Sequence, residues 1–418
     1  MKYVLTLFLL LTATSGFALT LDEAIEAALQ NHQQIEQSRA NAALSQAAVG
    51  SARAAFLPSV DLDYSYLERD DDPKSFGEQS STLSLGASLN LFNGLSDYHT
   101  YRAAQQRAKG ADFRLQGVRA DIVLETEQAF IEVLRAVRSV ATAAEGVELL
   151  ERQKRDTELK FEYGLIARND LLRIEVELSS AKQDLLRAEG QQQIARRQLE
   201  RTIGLRLPAE ETLAELTDAS LPQIDMNQAP SYRQQMMASR SELNFLRQEL
   251  KATKRERRAN KGSYLPQLDL AVAHEEYGDD LSPTSNNSDD NLLTLSASWN
   301  LFDGFAREKS IAATDARMRA VAAELRDTEA ALVLQLETAL QNLRIANGRL
   351  LEAKTGVTSA EENYRVTENR FQQQQATTVD LLDAQFLLTR SRNQEINARY
   401  DLLLSAAQLE RILELEKR

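Results

Sequence analysis

The sequence predicts a mixed, mostly α-helical fold with an internal duplication, in which long helical hairpins alternate with short β-hairpins of the membrane-spanning kind. Three observations lead there. First, the chain repeats itself. Leu199-Glu200-Arg201 returns as Leu409-Glu410-Arg411 (409 − 199 = 210), and Leu89-Asn90-Leu91-Phe92-Asn93-Gly94 returns at the same offset as Trp299-Asn300-Leu301-Phe302-Asp303-Gly304. Phe56-Leu57-Pro58 returns as Tyr264-Leu265-Pro266, two residues short of that offset. Second, each copy switches between period-two and helical patterning, and a repeat of this kind constrains a fold more than any single motif. Third, 418 residues hold only 16 Gly and 7 Pro, too few for a loop-rich or all-β chain. Ala, Leu, Glu, Gln and Arg dominate, as in long helices.

The composition also removes functions. A formal net charge of -13 argues against a nucleic-acid partner. The absence of Cys removes disulfides, thiolate metal sites, a catalytic cysteine and a lipid-bearing N-terminal cysteine. There is no His-Glu-x-x-His, phosphate loop or Gly-x-Ser-x-Gly, and His32, His99 and His274 are far apart in sequence. The five Met form no metal-handling run. Neither an enzyme nor a cofactor is expected.

Residues 1–18 read as a secretory signal: Lys2 supplies the positive start, Val4 to Leu11 the apolar core, and Gly16-Phe17-Ala18 the small residues for cleavage. No other apolar run is long enough to cross a bilayer as a helix. The exported chain is therefore either soluble or meets a membrane as β-strands.

The first repeat spans 19–206. Thr20 with Glu23 forms a capping box, and the helix it opens is expected to run to about Ala55, before Pro58. A β-hairpin over 57–92 follows. Val60, Leu62, Tyr64 and Tyr66 alternate with polar residues, and so do Leu83, Leu85, Ala87, Leu89 and Leu91. A long helical hairpin covers 96–204. The segment 207–230, with Pro208, Pro222 and Pro230, reads as an irregular equatorial linker. The second repeat, 231–418, has a helix, a β-hairpin over 265–302 and a helical hairpin over 305–417. Its strands carry Leu268, Leu270 and Val272, then Leu293, Leu295, Ala297, Trp299 and Leu301, on one face.

Each strand is about ten residues, the length of a tilted membrane strand. Four strands cannot close a barrel, because the smallest have about eight, and open edges are not tolerated in lipid. Three chains would supply twelve. The helices that return from each hairpin turn show heptads: Leu171, Leu178, Leu185 and Leu199 in one copy, Leu381, Leu388, Leu402 and Leu409 in the other. At 1.5 Å per residue the outgoing helices would reach on the order of 100 Å.

These parts in this order resemble the TolC-like outer-membrane efflux proteins. The resemblance rests on Trp299-Asn300-Leu301-Phe302-Asp303-Gly304, on Pro58 and Pro266 ahead of the strands, and on two helix-turn segments, Phe161 to Leu171 and Phe371 to Leu381. It covers nearly the whole mature chain. It implies a homotrimer whose twelve strands form one barrel in the outer membrane of a Gram-negative bacterium. Coiled-coil hairpins would continue it as an α-helical tube through the periplasm. A periplasmic adaptor and an inner-membrane pump, ABC-type or proton-driven, would engage the far end. The chain would then be the exit duct of a tripartite efflux pump or a type I secretion system. A periplasmic coiled-coil scaffold without a pore is the alternative reading.

The resemblance also assigns residues. Asp380 and Asp383, on nearly one helical face, match the aspartates of the periplasmic constriction, and Asp170 is the first-copy counterpart of Asp380. In a trimer the pair would make two carboxylate rings, favouring cations. The plainer reading is that Asp380 is an N-cap and Asp383 a first-turn acid, and that reading suits Asp170 well. The family's latch uses a tyrosine and an arginine where this chain has Phe371 and Ala376, so closure would rest on something else, with Arg168 a candidate charge. Tyr163, Gly164 and Leu165 match the tip on which adaptors dock. Gln374 stands where the second turn would have glycine, so the two tips are not expected to be equivalent. Trp299, Phe302 and Phe92 are expected as membrane-interface aromatics beside outer-membrane lipid. Asp70-Asp71-Asp72, Asp279-Asp280 and Asp289-Asp290 are expected in loops between strands, as solvated or cation-binding residues. The basic run Lys254 to Arg258 reads as a solvated face or a lipid-phosphate contact.

Overall fold

The computed structural model describes residues 18–68, 79–208, 211–216, 228–285 and 288–414. Most of the predicted signal, the run Asp70-Asp71-Asp72 and much of the 207–230 linker lie outside them. In chain order the elements are α1 (Leu21–Asn31), α2 (Gln33–Ala54), β1 (Ser59–Glu68), β2 (Gln79–Asn93), α3 (Ser96–Glu162), α4 (Arg168–Ile203), α5 (Ala229–Ser239), α6 (Ser241–Gly262), β3 (Gln267–Gly278), β4 (Ser288–Ser298), α7 (Ala306–Gln372) and α8 (Thr378–Leu413). The fold is mostly helical, as expected. The duplication is visible element by element. Both α3 and α7 have 67 residues and both α4 and α8 have 36, each pair offset by 210 (306 − 96; 378 − 168).

The single opening helix expected to about Ala55 is two helices. The Thr20–Glu23 capping box starts α1, with the Thr20 N–H donating to the Glu23 carboxylate at 2.9 Å. The chain then breaks at His32, which is extended (φ -71, ψ 127). The His32 Nδ1 accepts from the Gln34 N–H at 3.2 Å and so caps α2 from within the break. The second copy breaks at Arg240 (φ -55, ψ 119), at the shorter offset (240 − 32 = 208).

The four strands form one antiparallel sheet in the order β1-β2-β3-β4, so β2 and β3 join the two hairpins and β1 and β4 are its edges. Register stacks the predicted apolar stripes on one face. Leu62 opposes Leu85 and Val60 opposes Ala87; Ala87 opposes Val272 and Leu89 opposes Leu270; Val272 opposes Leu293 and Leu270 opposes Leu295. The other face is polar. There Asn90 donates to Asp269 at 2.7 Å, and the Ser59 and Ser88 hydroxyls are 2.9 Å apart. The two hairpins share one register: Ser59 pairs with Ser88, and their counterparts Gln267 (267 − 59 = 208) and Ser298 (298 − 88 = 210) also pair. The offset therefore changes inside the strand-to-strand turn, where added residues leave pairing undisturbed.

Two strand expectations need correction. β4 stops at Ser298 rather than running on through Leu301, because its partner β3 begins at Gln267, directly after Pro266, which has no N–H to offer. Asp289-Asp290 lie within β4, not in a loop, and oppose Glu276 and Glu275.

Packing divides the chain into two units, residues 37–117 with 240–331, and residues 1–36 with 118–239 and 332–418. Each draws on both repeats, so the duplication is a unit of sequence rather than of packing. In the first of these units, ion pairs tie three helices together. Arg107 of α3 meets Glu256 of α6 at 2.6 Å and Glu249 at 3.5 Å, and Arg317 of α7 meets the same two at 3.7 and 3.0 Å. Arg257 pairs with Asp315 at 2.5 Å. The basic run is thus split, with Glu256 and Arg257 facing neighbouring helices. These half-exposed pairs each contribute little, roughly 0–1 kcal/mol, but they fix which helix faces meet. At the foot of the sheet Gly94 (φ +68) presses its backbone onto Gly262.

In the other unit, burial along α4 and α8 recurs at the predicted spacing: Ile174, Leu178, Ala195 and Leu199 in α4, and Leu381, Ala384, Leu388, Ala398, Leu402 and Leu409 in α8. Leu199 and Leu409 are both fully buried. The described part of the linker is pinned. Leu19 donates to the Thr212 carbonyl and accepts from the Ala214 N–H, both at 2.9 Å, and Arg399 donates to the Leu216 carbonyl at 3.0 Å.

A Cβ on Gly94 would lie 2.1 Å from the Gly262 carbonyl oxygen, at a φ that costs a side chain roughly 1–2 kcal/mol by itself. Gly94→Ala is expected to lower thermal stability, read as loss of helical circular dichroism, by more than that. Gly50→Ala, in α2 with nothing within 4 Å, serves as the control and should be neutral or mildly stabilising.

Candidate functional site

The two helical hairpins turn with one backbone. After α3, the Leu165 N–H donates to the Lys160 carbonyl at 2.8 Å and the Gly164 N–H to the Phe161 carbonyl at 2.9 Å. After α7, Gln375 donates to Arg370 at 2.7 Å and Gln374 to Phe371 at 3.1 Å. Both are Schellman turns, which need a left-handed residue just past the helix. Gly164 supplies it at φ 71 and Gln374 at φ 60. The expected inequivalence of the tips is therefore not in the backbone. It is in the side chains: Tyr163 and Leu165 stand 78% and 62% exposed on the first tip, where the second carries glutamines.

The acidic residues behave differently from one another. Asp380 is not the N-cap of α8. Thr377 is, and Asp380 is the third residue of a closed capping box. Its carboxylate accepts from the Thr377 N–H at 2.8 Å and the Thr377 hydroxyl at 2.7 Å. Those two bonds, the backbone one first, hold its pKa below the ordinary carboxylate range, with Arg370 adding to them. Asp170 has no such box. The N-cap of α4 is Ala167, without a side-chain bond, and Asp170 stands instead as the acidic residue of that helix's first turn. Asp383 is exposed one turn beyond Asp380.

Phe371 has a partner. The Lys160 ammonium at the end of α3 sits 4.2 Å from the centre of its ring, a cation–π contact joining the last turns of α3 and α7. Arg168 is exposed and makes no ion pair among the described residues. Further along, Arg392 of α8 bridges Glu145 of α3 at 3.0 Å and Glu361 of α7 at 3.1 Å. Leu382 packs on Val147, Leu150 and Leu178. Sequence reading missed these links because each joins positions distant in the chain. The Thr377–Asp380 box was within reach as a Thr-x-x-Asp spacing.

In the sheet-bearing unit, aromatic and aliphatic side chains gather at the strand feet. Trp299 is 61% and Phe302 73% exposed, while Phe92 is half-buried beside a β-bulge at Asn90/Phe92. The Trp299 indole N–H donates to the Tyr264 carbonyl at 3.1 Å. The ring thus keeps a wide exposed apolar surface while its polar atom is satisfied.

Two solved channels share the fold. One is CusC, with a TM-score of 0.85 at 14% identity over 94% of this chain and 91% of that one. The other is the Campylobacter jejuni outer membrane channel CmeC, with 0.83 at 15% identity over 94% and 85%. In sequence the chain is 26% identical to the outer membrane protein TolC of Vibrio cholerae over 98% of its length and 94% of the relative's. It is 24% identical to the protein CyaE of Bordetella pertussis over 78% and 70%. The outer membrane efflux protein profile matches residues 24–205 and 232–414. The chain belongs to the outer membrane efflux protein family, a family of transport proteins of the outer membrane, and this assigns it to that membrane.

Two predictions concern the turns. Gln374→Gly relieves the left-handed residue and should slow amide exchange in the second turn by a fewfold, corresponding to about 1 kcal/mol; Gly164→Gln should do the reverse in the first. Thr377→Ala should cost about 1 kcal/mol in α8 helix-start stability and move the Asp380 pKa up toward its ordinary value. In the parent, the capping-box stabilisation is complete above the unfolded pKa near ~3.9 and fades only as pH falls through the lower folded value. Carboxylate titration by NMR on a labelled sample reads both.

Proposed function

We propose that three copies of the chain form the exit duct of a tripartite efflux pump or type I secretion system, passing substrate outward from an inner-membrane pump. The observation that carries this reading is the sheet. Its apolar face crosses all four strands in the row Val60–Ala87–Val272–Leu293, giving way to His274, Glu276, Asn291 and Asp289 toward the β3–β4 turn, and both of its edges are open. Lipid accepts such a face but not such edges. Four strands are too few to close alone, whereas three chains in a ring give twelve and leave no edge. A periplasmic scaffold without a pore would leave the same face in water.

On this reading the repeats 19–206 and 231–418 each give the barrel one β-hairpin and the periplasm one coiled-coil hairpin. Tyr163, Gly164 and Leu165 form the surface for a periplasmic adaptor, and an apolar, exposed tip on a rigid turn suits that task. Asp380 and Asp383 form two carboxylate rings at the periplasmic gate, with Asp170 nearby. The exposure of both and the Thr377 bonds that hold the Asp380 pKa low support an acidic mouth. The Lys160–Phe371 contact supports a closure that does not depend on an aspartate latch. Trp299, Phe302 and Phe92 lie at the lipid interface.

The purified protein should run as a heat-sensitive trimer and open ion-conducting pores in planar bilayers. A soluble monomer without conductance would end the proposal. Asp380→Asn with Asp383→Asn should reduce cation selectivity severalfold while conductance persists; unchanged selectivity would remove the ring assignment.

A further inference from the structure

The sheet contains, within one chain, a copy of the contact that must join two chains. β2 and β3 belong to different repeats, and their pairing is the only seam between repeats that the described sheet holds. β4 is the repeat counterpart of β2, and β1 of β3. The two hairpins share one register, so the β2–β3 seam can be carried over by offset alone, adding 210 to β2 positions and subtracting 208 from β3 positions. We infer that β4 of one protomer pairs antiparallel with β1 of the next in the register that places Ser298 opposite Asp63. This inference rests on the trimeric reading and adds the alignment of its subunit seam.

Three features of the chain agree with that alignment. Side chains fall on matching faces: the pairs Leu85–His274, Ala87–Val272 and Leu89–Leu270 of the inner seam become Leu295–Tyr66, Ala297–Tyr64 and Trp299–Leu62. The apolar face thus continues from chain to chain. The inner seam also bulges between Asn90 and Phe92 before ending at Asn93–Gln267. Its counterpart is Asn300 to Asp303, the segment that repeats the β2 sequence yet has no strand partner inside the chain, because β3 ends its pairing with β4 at Gln267. In the proposed seam Asn300 meets Asp61, and Phe302 and Asp303 meet Val60 and Ser59. The missing strand length is restored. Finally, the Asn90–Asp269 side-chain hydrogen bond of the inner seam has a chemically identical counterpart, Asn300 with Asp61. A shift of one residue would turn every β1 side chain to the wrong face, and a shift of two would separate this pair.

The chain has no Cys, so introduced pairs are read without background. Ser298→Cys is combined in turn with Asp61→Cys, Asp63→Cys and Ser65→Cys, all on one face of β1, and isolated outer membranes are treated with a mild oxidant. Directly opposed strand residues lie about 4.5–5.5 Å apart at Cα, within disulfide reach, and residues two positions away lie roughly 7–8 Å off, beyond it. Within one chain Ser298 opposes Gln267 and Asp63 opposes Ser84, so a covalent multimer on a denaturing gel reports the seam between chains. The intrachain pair Ser88→Cys with Ala271→Cys is the positive control for the same geometry. The expected result is cross-linking with Asp63→Cys and at most traces with the other two. Strongest cross-linking at 61 or 65, or none at 63 in a protein that still runs as a trimer, overturns the register and leaves the trimer standing. A protein with no trimer overturns both. A second measurement uses no cysteine: Asn300→Asp should lower the temperature at which the trimer band is lost, and Asp61→Asn added to it should restore that temperature. Absence of rescue overturns the Asn300–Asp61 contact.

Discussion

A strand in hydrocarbon must find a partner for every backbone N–H and C=O, and on the proposed reading that requirement governs this chain. Each unmatched group in lipid costs several kcal/mol, so an open sheet edge is far more expensive than any side-chain preference. The sheet meets the requirement at its three internal seams and leaves it unmet at β1 and β4. The rest of the sheet serves the same end. The apolar stripes align only because the hairpin register is kept in both copies, and the two extra residues of the second copy sit in the turn between strands, where they cannot shift that register.

Helices meet their own backbone requirement internally, which leaves their surfaces free to differ. This is why the two helical hairpins can hold the same lengths and the same turn geometry while their side chains diverge. Leu199 and Leu409 occupy equivalent buried positions, as do Ile203 and Leu413. At the turns, by contrast, Gly164 is replaced by Gln374 with no change of backbone, and Ala167 by Thr377 with the gain of a capping box. Burial holds the repeat fixed, and solvent lets it drift.

Much of the architecture was legible in the sequence, and the reasons are local. Strands announce themselves by alternation, long helices by the scarcity of Pro and Gly, and the Thr20–Glu23 box by its spacing. The breaks at His32 and Arg240 were not legible, because helical periodicity runs through both; at His32 a side chain caps the next helix, whereas at Arg240 none does. The end of β4 was misread for another reason: a strand's extent is set by its partner's backbone, and Pro266 lies just ahead of that partner, β3. Asp289-Asp290 looked like loop residues by composition, but pairing with β3 carries them into the sheet. At the candidate site, sequence pointed to Asp380, Asp383 and Tyr163. The Lys160–Phe371 contact, which joins helices more than 200 residues apart in the chain (371 − 160 = 211), was out of its reach.

The shared turn geometry has a consequence for counting. In a ring of three chains there would be six turns, alike in backbone and alternately different in side chain. A partner that grips the main chain and the rigid bend finds a sixfold rim, and one that reads Tyr163 and Leu165 finds a threefold one. The same rim can therefore be occupied at two stoichiometries, depending only on whether the visitor senses the shape of the turn or its chemistry.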